Sequence, residues 1–252
     1  LYTPLFNRDD FDKVDGFLKC EFVKPGKPNH IIGSRNLYHR AFFGRYIATL
    51  EERLRCLPEG QCISTNGPQT AAAILELRHF NRFIETDHTA WDLHVSRPLL
   101  AALNDEYKRV FKVPIEDQVY FDAVLRSYLS SRWKFRNGLR YRLSGTRVSG
   151  DVDTTVGNTI LHIALNRTVA RLSGLSKEDY GQRCKGDDCV LAESGDPDKR
   201  FNTAYFRRFG FEVKAFERAT IFDVEFCSSF LLQTETRWTL SRNPWKIVRH
   251  VP

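Results

Sequence analysis

Three short clusters in this 252-residue chain hold side chains that could do chemistry together. The first is Gly186-Asp187-Asp188, set inside QRCKGDDCVL between two short strand-like runs. Glycine accepts positive φ and aspartate bonds its own backbone, so the tripeptide suits a tight turn between strands. The same carboxylates at a hairpin tip are also the hard oxygen ligands that divalent cations prefer. On the tripeptide alone, turn and metal ligand both stay open. The second cluster is Glu85-Thr-Asp87-His-Thr-Ala-Trp-Asp92, with one acid at the end of an extended run and another five residues on. Taken singly, Asp87 reads as a turn residue and Asp92 as a helix cap or first-turn acid. Asp87 acquires a further meaning if its strand lies beside the strand that carries Asp187. The third cluster runs from Arg147 to Asn158. Ser149 and Gly150 make a flexible loop feeding a helix, on which Thr154 and Asn158 stand one turn apart on one face. A plain capped N-terminus, with Asp151, Asp153 or Thr154 as the cap, accounts for the same residues. Gly157 inside that helix costs about 1 kcal/mol relative to Ala, which hints at close approach by another group.

The elements that must position these clusters are legible as periodicity. Phe42, Phe43, Tyr46, Ile47, Leu50 and Leu54 recur at helical spacing. Further helices are expected over residues 71–77, 98–111, 119–129, 154–172 and 197–209, with Gly174 and Gly210 as stops. Extended segments are expected over 80–86, on both sides of Gly186-Asp187-Asp188 and over 211–216, and an extended pair over 224–232. Trp133 to Tyr141 is expected to be a hairpin with Asn137-Gly138 in a type I′ turn. This irregular alternation predicts an α+β fold, an antiparallel sheet with helices packed on one face, in preference to a doubly wound parallel sheet.

Composition narrows the class. Hydrophobic residues make up 42%, the formal charge is +7 and the pI is near 9.1, which fits a globular protein with a polyanion partner. Six cysteines form no C-x-x-C pair, which argues against a zinc ribbon, and scattered thiols fit a reducing compartment. Cys184 and Cys189 are expected in the core. No apolar run reaches the ~18 residues of a membrane span. The absence of Met, even at position 1, leads to the expectation of a segment of a longer product.

The ordered set Asp87-x4-Asp92, Ser149-Gly150-x3-Thr154-x3-Asn158 and Gly186-Asp187-Asp188 resembles the palm of viral RNA-directed RNA polymerases. The similarity is greatest to tombusvirus-like enzymes of positive-strand RNA viruses, and Thr-Ala-Trp-Asp also resembles flavivirus relatives. Lys24 to Arg35 with Gly44-Arg45 resembles the basic fingers motif, Gly210 to Lys214 the lysine-bearing motif, and Val224 to Ser229, continuing to Arg242-Asn243-Pro244, the primer-gripping hairpin. The resemblance covers residues 20–246 and implies a right-hand palm with part of the fingers and the thumb largely absent. It divides the chain into fingers (1–79), palm (80–112), fingers insertion (113–145), palm (146–246) and the start of the thumb (247–252).

It further implies Asp87, Asp187 and Asp188 as ligands of two Mg²⁺ ions, with Mn²⁺ a substitute and Asp188 secondary. Lys214 becomes a proton donor to pyrophosphate. Asp92, Ser149, Gly150, Thr154 and Asn158 become the nucleotide and ribose contacts, and Cys227 and Ser228 the primer grip. Family members often carry an arginine where this chain has Asn29-His30, so triphosphate binding falls to Lys24, Lys27, Arg35 and Arg45, with Arg40 in reserve. Partners implied are template and nascent RNA, NTPs and other viral replicase proteins, in a membrane-associated complex of the host cytoplasm reached through other regions. A reverse transcriptase is the rival enzyme, but Lys185-Gly186 stand where such enzymes usually have an aromatic and a variable residue. A catalytically incomplete RNA-binding fragment is the rival from another class.

Overall fold

The computed structural model describes residues 8–20, 26, 29–194, 196 and 198–244. In chain order its elements are β1 (Lys13–Leu18), β2 (Ile31–Arg35), α1 (Leu37–Arg55), α2 (Gly67–Leu75), β3 (Arg82–His88), α3 (Trp91–His94), α4 (Arg97–Val110), α5 (Gln118–Leu129), β4 (Ser130–Phe135), β5 (Arg140–Ser144), α6 (Thr154–Leu172), β6 (Tyr180–Lys185), β7 (Asp188–Glu193), β8 (Val213–Arg218), β9 (Glu225–Phe226), β10 (Ser229–Gln233) and β11 (Trp238–Arg242). The fold is α+β. Its strands pair antiparallel, apart from β1 and β4, which run parallel.

The chain forms two compact units, Leu1–Thr49 with Asp92–Thr154, and Leu50–Trp91 with Thr155–Pro252. The first contains the sheet β2-β1-β4-β5. An aromatic core, with Phe43 within ring-contact distance of Tyr107, Phe121 and Tyr128, ties α1, α4 and α5 together. Edge-to-face and tilted pairs of this kind add about 0.5–1.5 kcal/mol each beyond their burial. The β4–β5 hairpin closes differently from the expectation. Only Gly138 has positive φ, and Gly138 N–H reaches Phe135 O at 3.0 Å while Phe135 N–H reaches Leu139 O at 2.9 Å. That is a three-residue loop, a type I turn closed by a left-handed glycine, in place of the two-residue type I′ form.

The second unit contains the sheet β6-β7-β3-β8 and the smaller sheet β11-β10-β9. Phe83, Val190 and Ala192 on one face of the larger sheet pack with Ile74 and Leu77 and with Ile221, Val224 and Phe226. The other face packs on α6, where Asn166 Nδ2 reaches Gln182 Oε1 at 2.9 Å and Cys189 Sγ at 3.2 Å. Cys184 and Cys189 are buried and directly paired across β6 and β7. The helix expected over 197–209 is only a 3-10 helix, Thr203–Phe209, capped by Asn202 Oδ1 and stopped by left-handed Gly210. Phe206 is the residue it buries. The extended pair expected over 224–232 is β9 with β10, and β10 pairs on with β11, which lies in the stretch through which the resemblance continues the hairpin to Pro244.

Candidate active site

β3 and β7 are the two central strands of their sheet and lie side by side, so the condition that gives Asp87 meaning is met. Thr86 pairs with Cys189, and the next residues along the two strands are Asp87 and Asp188. Side chains alternate along a strand, so these two carboxylates stand on the same face as Glu85 and Val190. On the outer flanks Lys214 pairs with Asp87 across β8, and Lys185 pairs with Asp188 across β6. The end of the sheet therefore carries the cross-strand row Lys185, Asp188, Asp87, Lys214. Asp187 stands beside the row in a two-residue turn, entered by Gly186 at φ +65°. All three carboxylates are exposed.

The turn is held from behind by α6. Gly186 N–H donates to Thr159 Oγ1 at 2.8 Å, and His162 Nδ1 lies 3.3 Å from Gly186 O. A carbonyl only accepts, so Nδ1 carries the proton and donates. Thr159, His162 and Asn166 form a fully buried polar stripe at i, i+3 and i+7 of the helix. Thr159 and His162 stand outside the motifs legible in the sequence, where the polar i, i+3, i+7 spacing on the helix was their one signal. Burial disfavours the imidazolium of His162 and lowers its pKa to about 4, against the pull of the Gly186 carbonyl. The ring sits among His88 and Trp91, each with its centroid 4.8 Å away.

Cys227 and Ser228 join β9 to β10 as a two-residue turn with φ of +50° and +60°. Two left-handed residues match a type I′ turn, normally the place of Asn-Gly, and each non-glycine residue there costs about 1–2 kcal/mol. Asn243 N–H fastens the turn by donating to Ser228 O at 2.9 Å. Burial raises the Cys227 thiol well above its ordinary range, and the neighbouring Asp188 carboxylate, its hydrogen-bond acceptor, adds to the shift. Asp188 is thus engaged by the β9–β10 hairpin.

In the other unit Ser149 Oγ donates to Asp92 Oδ2, and Arg147 N–H donates to Asp92 O at 2.8 Å. The loop is braced closely. A Cβ on Gly150 would lie 1.9 Å from Gly33 O, so glycine is required here by the close approach of β2. Thr154, expected as a free hydroxyl for nucleotide, spends it on Asp151 O at 2.8 Å and Val148 O at 3.1 Å. Asp151 and Asp153 are not caps: Arg35 Nε pairs with Asp151 Oδ1 at 2.5 Å, and Arg147 Nη1 with Asp153 Oδ2 at 2.8 Å, all four side chains being buried. Tyr107 OH also donates to Asp153. Burial pushes Asp151 up to about 6 against the opposing Arg35 guanidinium. Asn158, in the second unit, is buried on α6.

The basic set needs one correction. Arg35 has a fully buried side chain, and its guanidinium is spent on Asp151, Phe11 O and Ser127 O while lying over the Tyr128 ring. It is a structural cation and cannot reach a triphosphate. The Ile-Gly-Ser-Arg pattern of β2 gave the warning, since Gly33 and Arg35 share its buried face. Arg45 is exposed, paired with Asp117 and stacked on Phe42 and Tyr46. Lys24, Lys27 and the expected start of the thumb at 247–252 lie outside the described residues.

The donor chemistry at the sheet end fits a magnesium ion. Among the described residues no three His, Cys, Asp or Glu side chains are arranged to enclose a metal ion. Mg²⁺ is usually held through one or two carboxylates, with waters and substrate phosphates completing the octahedron, so exposed Asp87 and Asp187 are suitable donors. Among the described residues, no helix is long and apolar enough to cross a membrane.

Residues 80–251 match the model of the family described as viral RNA dependent RNA polymerase. Similar curated proteins include the RNA-directed RNA polymerase of Groundnut rosette virus (strain MC1), 27% identical over 259 residues that cover 95% of this chain and 29% of the relative. That of Pothos latent virus (isolate Pigeonpea/India) is 27% identical over 260 residues, covering 96% and 34%. That of Tomato bushy stunt virus (strain Cherry) is 26% identical over 261 residues, covering 96% and 31%. The chain spans about a third of the length of the curated relatives it matches.

Proposed function

Because the chain belongs to the viral RNA dependent RNA polymerase family, we propose that it carries the catalytic palm, with part of the fingers, of an enzyme that extends RNA on an RNA template. The observation that carries this reading is the placing of Asp87, Asp187 and Asp188 at one end of adjacent central strands, flanked by Lys185 and Lys214. The motif-based division into fingers (1–79 and 113–145), palm (80–112 and 146–246) and incipient thumb is part of the same proposal. It marks functional regions, whereas the two compact units mark where the chain packs.

Two bound Mg²⁺ ions would supply Lewis-acid activation of the 3′-hydroxyl and charge neutralisation at the phosphates. Asp87 and Asp187 would hold them, and Asp188, engaged by Cys227, would act indirectly. Thr159 and His162 fix Gly186 and so aim Asp187. Lys214 Nζ, opposite Asp87, would give its proton to the departing pyrophosphate oxygen. The Asp92–Ser149 pair would bond the ribose 2′-hydroxyl, a group whose absence in a deoxynucleotide leaves polar atoms unpaired. Asn158 is assigned to the same recognition. Cys227 and Ser228 would support the primer end. Arg45 remains for the triphosphate, together with Lys24 and Lys27. Genome replication with other viral replicase proteins, in a membrane-associated complex of the host cytoplasm, is the setting this activity implies.

The test is incorporation of labelled NTP on a homopolymer RNA template by the natural full-length product, with Mg²⁺ or Mn²⁺. Template-dependent ribonucleotide incorporation, abolished by chelator, is expected. No incorporation, or a preference for dNTPs, would overturn the reading.

A further inference from the structure

The β4–β5 hairpin of the first unit has two unlike faces. Inward, Trp133 stacks on Tyr141 at 5.7 Å and on Phe135 at 6.2 Å, against Val14 and Val148. Outward stand Arg132, Lys134, Arg140 and Arg142, all exposed. Their register sets like charges directly opposite each other, Arg132 against Arg142 and Lys134 against Arg140. Such pairs destabilise a sheet unless each cation is offset by an acidic partner. β1 extends the face, with Lys13 beside Arg132 and Asp15 beside Lys134. Asp10 pairs with Lys13 and Asp12 with Arg132, but Lys134, Arg140 and Arg142 have no acidic partner within 4 Å among the described residues. These cations border a hollow of about 660 Å³, and an adjoining hollow shares Arg142 and adds Arg8 and Arg126. Phe17, on the same side of β1, leaves 47% of its surface exposed.

We propose that this outer face of β1, β4 and β5 docks single-stranded RNA, the cations holding successive phosphates and Phe17 stacking on a base. Guanidinium forks match phosphate oxygens, and same-side residues along a strand recur every ~6.6 Å, so the charges form a track along an extended polyanion. An exposed aromatic beside a basic track is the arrangement that tolerates any base sequence. The choice of RNA as the polyanion rests on the polymerase reading; the surface itself uses none of the carboxylate site.

The test measures binding of a labelled, unstructured RNA by the natural full-length product across a salt series. Lys134→Gln with Arg140→Gln should weaken binding about tenfold near 0.1 M salt and lower the log–log salt slope by about 1.4, two contacts at about 0.7 each. Arg140→Glu should weaken RNA binding and at the same time hold or raise the thermal midpoint, because it turns a repulsive pair into an attractive one; that opposition of signs separates docking from misfolding. Phe17→Ala should weaken binding with the slope unchanged. Unchanged affinity and slope in the hairpin variants would overturn the proposal, as would equal or better competition by duplex RNA or by polyglutamate. If wild-type protein incorporates no nucleotide while the hairpin variants still lose RNA, the polymerase reading fails and the docking surface stands.

Discussion

Asp92 and Ser149 are joined by one hydrogen bond, with the serine hydroxyl donating to the carboxylate. A pair so arranged can turn an oxygen lone pair or a proton toward a sugar hydroxyl, which a lone exposed aspartate would do with less constraint. Asp92→Ala, and more mildly Ser149→Ala, should reduce the preference for NTP over dNTP by about 10- to 100-fold while leaving RNA affinity unchanged; kcat/KM for the two substrates measures it. Equal selectivity in the variants would remove the pair from sugar recognition. Arg35 is the instructive residue in the opposite sense. Its type and its basic neighbours matched a phosphate contact, and only the buried partner Asp151, 116 positions away, decides that it is structural.

At the scale of elements, the β6–β7 hairpin was legible because Gly186 permits a turn that Asp187 and Asp188 extend into chemistry. Its neighbour β3 was legible as an extended run, but the side-by-side placing of β3 and β7 depends on pairing across about a hundred residues, which no local pattern encodes. β1 and β2 escaped notice for a related reason. Gly16 and Gly33 interrupt the alternation, and each is there because a Cβ would collide with Phe135 or with Trp133 and Val14. The clamp from α6 yields a prediction of its own. Thr159→Ala removes the acceptor of a buried N–H, costing about 1–3 kcal/mol locally. It should lower kcat with little change in KM for NTP, and Thr159→Ser should restore most of the loss. His162→Gln, which keeps a side-chain donor near Gly186 O, should be milder than His162→Ala. Wild-type kcat in Thr159→Ala would show that the clamp does not aim Asp187.

For the whole molecule, buried titratable groups set the response to acid. Burial, aided by the Arg35 charge, lowers His39 to about 2, and burial lowers His162 to about 4. Both rings are neutral when folded and have an ordinary value near 6.5 when unfolded, so stability is present above that value and lost as pH falls through the window below it. Asp151, raised to about 6, takes up its proton in the folded state first and offsets one of the two. These three groups together leave about one excess proton on the unfolded chain between pH ~6 and ~4, a loss of about 1.4 kcal/mol per pH unit. Denaturant unfolding over that range measures it, and His162→Gln should flatten the slope; an unchanged slope would contradict the burial assigned to that ring. The net charge of +7 is likewise a whole-molecule property, and it signals a polyanion without saying which face receives it.

Metal binding at the sheet end depends on Asp187, and one substitution isolates its charge. Asp187→Asn keeps the size of the side chain and the Gly186 turn while removing the charge that would hold a cation. In primer extension by the natural full-length product, Asp187→Asn should abolish incorporation while RNA affinity stays within about twofold of wild type, since phosphate contacts lie elsewhere. Incorporation at the wild-type rate would contradict it.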